Sequence, residues 1–211
     1  MKLRTLLIVA CVILVGLAGM TIANNTQQKQ TAARALLTAI SDTDVENLLY
    51  MRQEEKLARD VYLTLYEQWG AEVFANISES EQQHMDAIKR LIYIYGLEDP
   101  ITDDTAGQYA NQDFIDLYEQ FVALGSASLL DALNVGVSIE LQDIADLQEA
   151  LDETTAKNVR RVFENLLAGS ENHLAAFQQC IETCDVECPQ TGTGDGTCLQ
   201  TQDRDQSCQD I

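Results

Sequence analysis

Between residues 44 and 183 apolar side chains recur every three to four positions, the spacing of helices that bury one face. The first such stretch, VENLLYMRQEEKLARDVYLTLYEQW, predicts a helix over 44–69 that Gly70 stops. Thr43 and Glu46 have the spacing of a capping box at its start. A second helix is expected over 71–95, ending at Gly96. Ser78 and Glu81 spell a further capping box, so this helix either runs unbroken, starts later or falls into two pieces. Residues 97–112, LEDPITDDTAGQYANQ, read as a connection and 113–124 as a short helix. A third long helix is expected over 127–152, and a fourth over 156–183 with Thr154 or Thr155 as its cap.

Tight turns join the first helix to the second and the third to the fourth, whereas the second and third are far apart in sequence. The expected fold is therefore all-α, a four-helix bundle with a long crossover between helices 2 and 3, which is the ferritin-like arrangement. Phase along each helix then singles out polar residues. On the second helix Ile77, Glu81, His84, Ile88, Leu91 and Tyr95 share one stripe. On the third, Glu140 and Asp143 interrupt Leu129, Leu133, Gly136, Ile144, Leu147 and Leu151. The fourth lines up Val159, Val162, Leu166, Ser170, His173 and Phe177. On the first, Glu55, Ala58, Tyr62, Leu65 and Trp69 fall in line, and Glu54, Ala58, Val61 and Leu65 do so nearly as well. Both histidines of the chain thus point where a bundle buries its side chains, together with several carboxylates. Buried carboxylates repel one another unless protonated or bridged by cations. Carboxylate and imidazole together suit iron, manganese or zinc.

Charge and composition narrow the partners. With 34 acidic against 13 basic side chains the net charge is −21, which repels nucleic acid and anionic lipid and attracts metal ions. An apolar share of 46% excludes an acidic disordered chain. At the N-terminus, Lys2 and Arg4 precede an uncharged run, and Thr21-Ile22-Ala23 supplies small residues for cleavage after Ala23. Residues 1–23 read as a secretory signal or, since the run from 6 to 23 reaches the short limit of a spanning helix, as a membrane anchor. Either implies export. Cys11 lies inside this run, too early for a lipid-modified cysteine. Residues 24–43 form a polar linker, 44–183 the helical domain, and 184–211 an aperiodic tail. Cys180, Cys184, Cys188, Cys198 and Cys208 predict disulfides in an oxidising compartment, with one thiol left free or paired between molecules. Their spacing lacks the two-residue knuckle of a zinc site.

Glu55, Ala58 and Tyr62 resemble the first-helix pattern of rubrerythrins and bacterioferritins, Glu81-x-x-His84 their second-helix ligand pair, and Glu140-x-x-Asp143 the paired third-helix carboxylates of rubrerythrin. His173 matches the fourth-helix histidine, but Ser170 stands where that motif has glutamate. The strings EEKLARDVYLTLYEQWG, SEQQHMDAIKRL, IELQDIADLQEAL and RRVFENLLAGSENHLAAF resemble a narrower bacterial and archaeal family of ferritin-like proteins, catalogued as a domain of unknown function. The resemblance implies a dinuclear non-haem metal centre, iron first with manganese or zinc as alternatives. Its ligands would be Glu55, Glu81, His84, Glu140, Asp143 and His173, with Glu81 and Glu140 as bridges. Tyr62 would orient a carboxylate by hydrogen bonding. It implies oxidation of Fe(II) by oxygen or peroxide and is compatible with a homo-oligomer. Two other readings stand beside it. One is a metal-storage or sensing module without turnover; the other is a structural envelope protein with a degenerate site, which Ser170 and the odd cysteine favour.

Overall fold

The computed structural model describes residues 40–187, with side chains described through Thr183. The calls on the N-terminal segment, on the linker up to residue 39 and on the tail cysteines from Cys188 onward lie outside these residues. Five helices are present among the described residues, without strands: α1 (Asp42–Trp69), α2 (Glu72–Tyr95), α3 (Gln112–Gly125), α4 (Leu129–Glu153) and α5 (Lys157–Glu187). No helix among them is long and apolar enough to cross a membrane.

The start of α1 differs from expectation. Ser41, not Thr43, is the N-cap: its hydroxyl accepts from the Asp44 N–H, and the Asp44 carboxylate accepts from the Ser41 N–H at 3.1 Å. Aspartate reaches back across the same three-residue gap that glutamate spans in the usual box. Helix α2 is unbroken; the Ser78 hydroxyl donates to the Ala75 carbonyl at 2.8 Å within the helix and starts nothing. Thr154 closes α4, and its hydroxyl bonds to Asp44 of α1. Helix α5 runs four residues past the expected end at 183. Gly70 and Gly96 terminate α1 and α2 with φ of 70° and 68°, a left-handed conformation that side chains with a Cβ resist.

Helices α1 and α2 pack as one hairpin and α4 and α5 as another; α1 also lies on α4, and α2 on α5. Side-chain bonds fix the directions. Asn47 near the start of α1 meets Glu153 at the end of α4. Tyr95 at the end of α2 meets Asn158 at the start of α5. Both neighbouring pairs are therefore antiparallel, so α2 and α4 point the same way. The chain must return along the bundle between them, and residues 96–128 make that return, with α3 packed against α1 and α4.

The interior falls into two apolar clusters. One gathers Leu57, Val61, Tyr62, Leu65, Phe74, Leu133, Ile139 and Phe177 among others. The second gathers Leu48, Met51, Ile88, Leu91, Leu147, Phe163 and Leu166. Glu54, Glu55, Glu81, Glu140, Asp143, Ser170 and His173, all buried, occupy the level between them in sequence on every long helix.

Close approach of α4 and α5 depends on Gly136. A Cβ there would lie 2.7 Å from the Phe177 ring, which is itself held against Tyr62 and Phe74 at centroid distances of 5.2 and 5.4 Å. Gly136→Ala gains about 1 kcal/mol of helix propensity but overpacks a fully buried ring at about 1–3 kcal/mol. Urea denaturation is expected to show a net loss of stability; an unchanged or raised midpoint would contradict this packing.

Candidate metal centre

Each long helix delivers part of one polar layer. Helix α2 contributes Glu81 and His84, one helical turn apart and hence on one face. The His84 Nδ1 lies 2.8 Å from Glu81 Oε2 and 3.1 Å from Glu55 Oε2 of α1. The His173 Nδ1, from α5, lies 2.8 Å from Glu81 Oε1 and 3.5 Å from Glu140 Oε2 of α4. Glu81 therefore offers one oxygen to each histidine, and the imidazoles stack with centroids 5.5 Å apart. Two buried ligand groups result, Glu55–Glu81–His84 and Glu81–Glu140–His173, each with donor atoms within 4.8 Å of one another and Glu81 common to both.

Hydrogen bonding in this layer is incomplete. His173 Nδ1, Glu55 Oε1 and Asp143 Oδ1 are buried without an aligned hydrogen bond, despite the short His173–Glu81 approach. Such atoms ordinarily find partners in folded proteins. Groups around the layer hold it in place. The Tyr62 hydroxyl donates to Glu140 Oε1 at 2.7 Å, and Ser80 Oγ lies 2.9 Å from His173 Nε2. The Ser170 hydroxyl donates to Asp143 Oδ2. Asp143 is thus in the layer but tied to Ser170, and it belongs to neither ligand group. Glu171 is exposed, so it does not stand in for a carboxylate at position 170.

Electrostatics follow from this crowding. Burial, then the charges of Asp143 and Glu81, hold Glu55 well above the carboxylate range. Burial and Glu81 push Glu140 up to about 8, and burial pushes Asp143 to about 7 against the Ser170 hydrogen bond. Burial alone would lower both histidines. The carboxylates of Glu55 and Glu81 outweigh it and raise His84 to about 11, and those of Glu140 and Glu81 raise His173 to about 9. Glu81 goes the other way: burial would raise it, but the two imidazoles facing it hold it below its ordinary value. Burial and the Glu140 charge keep the Tyr62 hydroxyl protonated, as a donor must be.

Glu55, Glu81, His84, Glu140, Asp143 and His173 are all brought to one level, with Tyr62 bonded to Glu140. The ambiguity on α1 resolves by role: Glu55 faces His84, while Glu54 is also buried but has no contact with either histidine among the described bonds, and burial with the charges of Asp143 and Asp146 holds it well above the carboxylate range. Sequence reasoning missed Ser80 and Gly169, and held Glu54 only as an alternative to Glu55. A Cβ at Gly169 would lie 2.6 Å from His84 Cε1 and Nε2, so this glycine makes the space for the ring. A glycine inside a strongly periodic helix, four residues before a histidine, is the signal that would have found it.

Imidazole NMR titration checks the arrangement. Both rings are expected to stay charged well above the ordinary histidine range, His84 to about 11 and His173 to about 9. Gly169→Ala displaces the His84 ring from Glu55, so its titration should fall toward that range while His173 moves less. Equal shifts in both rings, or none, would contradict the contact.

The uncharacterized protein MJ0754 of Methanocaldococcus jannaschii is 49% identical to this chain over 142 residues, 67% of this chain and 77% of its own length. The crystal structure of hypothetical protein MJ0754 from Methanococcus jannaschii DSM 2661 matches with a TM-score of 0.68 at 46% identity, over 69% of this chain and 83% of that one. Residues 44–190, the span that contains the whole polar layer, match the model of the uncharacterized protein domain DUF2202, and the chain belongs to that family.

Proposed function

We propose that this protein is an exported, ferritin-like metalloprotein with a dinuclear non-haem centre, of which iron is the preferred occupant. One observation carries the reading: the two oxygens of buried Glu81 each face the Nδ1 of a different histidine at 2.8 Å, within two ligand groups that share it. A carboxylate so placed would offer one oxygen to an ion in each group. Charge supports the same count. Glu55, Glu81, Glu140 and Asp143 carry four negative charges when ionised, and two divalent cations carry four positive ones. That match removes most of the repulsion that otherwise requires protons. Oxygen and imidazole donors in a closed layer fit iron or manganese, and zinc as well.

A bound iron pair would supply two electrons for reduction of oxygen or peroxide as Fe(II) becomes Fe(III). The chain's own residues bind and orient. Tyr62 holds Glu140 in one rotamer, and Ser80 fixes the ring plane of His173. Ser170 holds Asp143 and makes the two halves unequal. The apolar clusters on either side keep bulk water from the layer. The charged, uninterrupted hydrophobic start of the chain supports export.

Purified without chelator, or reconstituted anaerobically with Fe(II), the protein is expected to hold about two metal ions per chain. Glu81→Ala is expected to abolish binding and His84→Ala to weaken it by at least tenfold, with helical circular dichroism retained. Elemental analysis finding no metal in the reconstituted wild type would end the proposal.

Proton linkage gives a second check. The metal-free layer holds its protons as a coupled set at neutral pH, and ligation must displace them. Affinity is therefore expected to rise with pH, by about tenfold per unit for each proton released. The rise should be steepest below about 7, where Asp143, Glu140 and His173 all hold protons, and should flatten as these are lost between about 7 and about 9. Competition titrations at several pH values read this slope directly.

A further inference from the structure

The two ligand groups share Glu81 but are not supported alike. In the Glu81–Glu140–His173 group both unshared ligands are held from outside. The Tyr62 hydroxyl of α1 donates to Glu140 Oε1 at 2.7 Å, which leaves Oε2 facing His173. Tyr62 is itself fully buried, with its ring against Phe74 at 6.2 Å and Phe177 at 5.2 Å. On the far edge of the His173 ring, Nε2 lies 2.9 Å from Ser80 Oγ. The Glu55–Glu81–His84 group has no such support among the described residues. Glu55 Oε2 meets His84, but Glu55 Oε1 is buried without a partner. The far edge of the His84 ring, Cε1 and Nε2, rests over Gly169, which offers no side chain. Exposure does not separate the halves, since the His84 and His173 side chains are 12% and 10% exposed. The difference lies in what holds the ligands.

We propose that the Glu81–Glu140–His173 half is a resident position for a divalent cation, filled first and tightly, that the Glu55–Glu81–His84 half is the exchangeable one, and that Ser80 is a positioning residue for the resident half. A metal takes imidazole at the nitrogen without a hydrogen, so the other nitrogen must carry it. In His173 the inward nitrogen is Nδ1, 2.8 Å from Glu81 and 3.5 Å from Glu140, and Ser80 Oγ is placed to accept from Nε2–H. The ring is thus held in the ligating tautomer and orientation in advance. His84 also presents Nδ1 inward, but among the described residues nothing accepts from its Nε2. Its ring has to be ordered at the moment of binding. Outer partners of this kind are worth about 10–100-fold in metal affinity. Glu81 adds to the asymmetry. Once one of its oxygens serves a first ion, less of its charge remains for a second, and the two cations repel. Divalent cations therefore bind in two steps, and the ion at the His84 half trades with solution while the other stays.

This inference rests on the metal-centre reading, and the test separates the two. Co(II) is titrated anaerobically into the metal-free full chain against a competing chelator, with visible absorption as the readout. Two steps are expected, the second at least about tenfold weaker than the first. Ser80→Ala and Tyr62→Phe should each weaken the first step by about tenfold or more and leave the second where it was. Proton NMR in water adds a signature that a merely structural loss would not move. With one cobalt per chain, one hyperfine-shifted imidazole N–H, that of His173, is expected to exchange slowly with solvent. It should exchange faster in Ser80→Ala and be restored in Ser80→Thr, which keeps the hydroxyl. A second equivalent adds the His84 N–H, fast-exchanging in all three proteins. Two equal steps in the wild type, or a first N–H indifferent to Ser80, would overturn the assignment. So would Ser80→Ala weakening the second step as much as the first. A wild type that takes up no cobalt is a different result, and it removes the centre itself.

Discussion

Mutual repulsion among carboxylates enclosed between two apolar clusters is the constraint on which the rest of this structure depends. Five of them, Glu54, Glu55, Glu81, Glu140 and Asp143, are buried at one level. An ionised carboxylate removed from water costs several kcal/mol unless something compensates it. Two imidazoles, one tyrosine hydroxyl and one serine hydroxyl supply part of the compensation. They do not supply all of it, because oxygens of Glu54, Glu55 and Asp143 remain without partners. A fold that tolerates such a layer on four helices trades stability for a place where positive charge is wanted.

Much of this was legible in the sequence, for a definite reason. Helical phase is a strong signal when a stripe is long, and Glu81, His84, Glu140, Asp143 and His173 each broke an otherwise apolar stripe. Phase failed on α1 because that helix is buried on two sides. Its inner side carries Glu55, Ala58, Tyr62 and Leu65. Its other side carries Arg52, Lys56 and Arg59, which look in sequence like a solvated face but lie beneath the crossover. Nothing in one-dimensional periodicity distinguishes a charged face meeting water from one meeting a buried carboxylate. The cap at Ser41 was missed for a smaller reason: two overlapping boxes, offset by two residues, compete in the sequence, and the one with the usual glutamate, Thr43–Glu46, is not the one the backbone uses.

Ser170 was the clearest departure from the resembling pattern, and its neighbours give it a physical role. Its hydroxyl bonds to Asp143 and its own helix carbonyl at Leu166. A short polar side chain here leaves room for the aspartate of the facing helix, so a carboxylate reaches this side of the layer from α4 instead of α5. The half around His173 and the half around His84 consequently have different surroundings, and two ions bound there would not be equivalent.

The crossover between the hairpins owes its conformation to Asp60. This fully buried carboxylate takes Lys56, both an Nε and an Nη of Arg59, the Tyr109 hydroxyl at 2.9 Å and the Gly107 N–H at 3.1 Å. Arg59 reaches on to Asp104 and Lys56 to the Thr105 carbonyl. Peeling residues 104–109 from α1 would strip several donors from one anion and leave two cations uncovered at once. Such an opening has no inexpensive partial form, so this segment is held to α1 as one unit, although by sequence it is a loop and most of its residues are exposed.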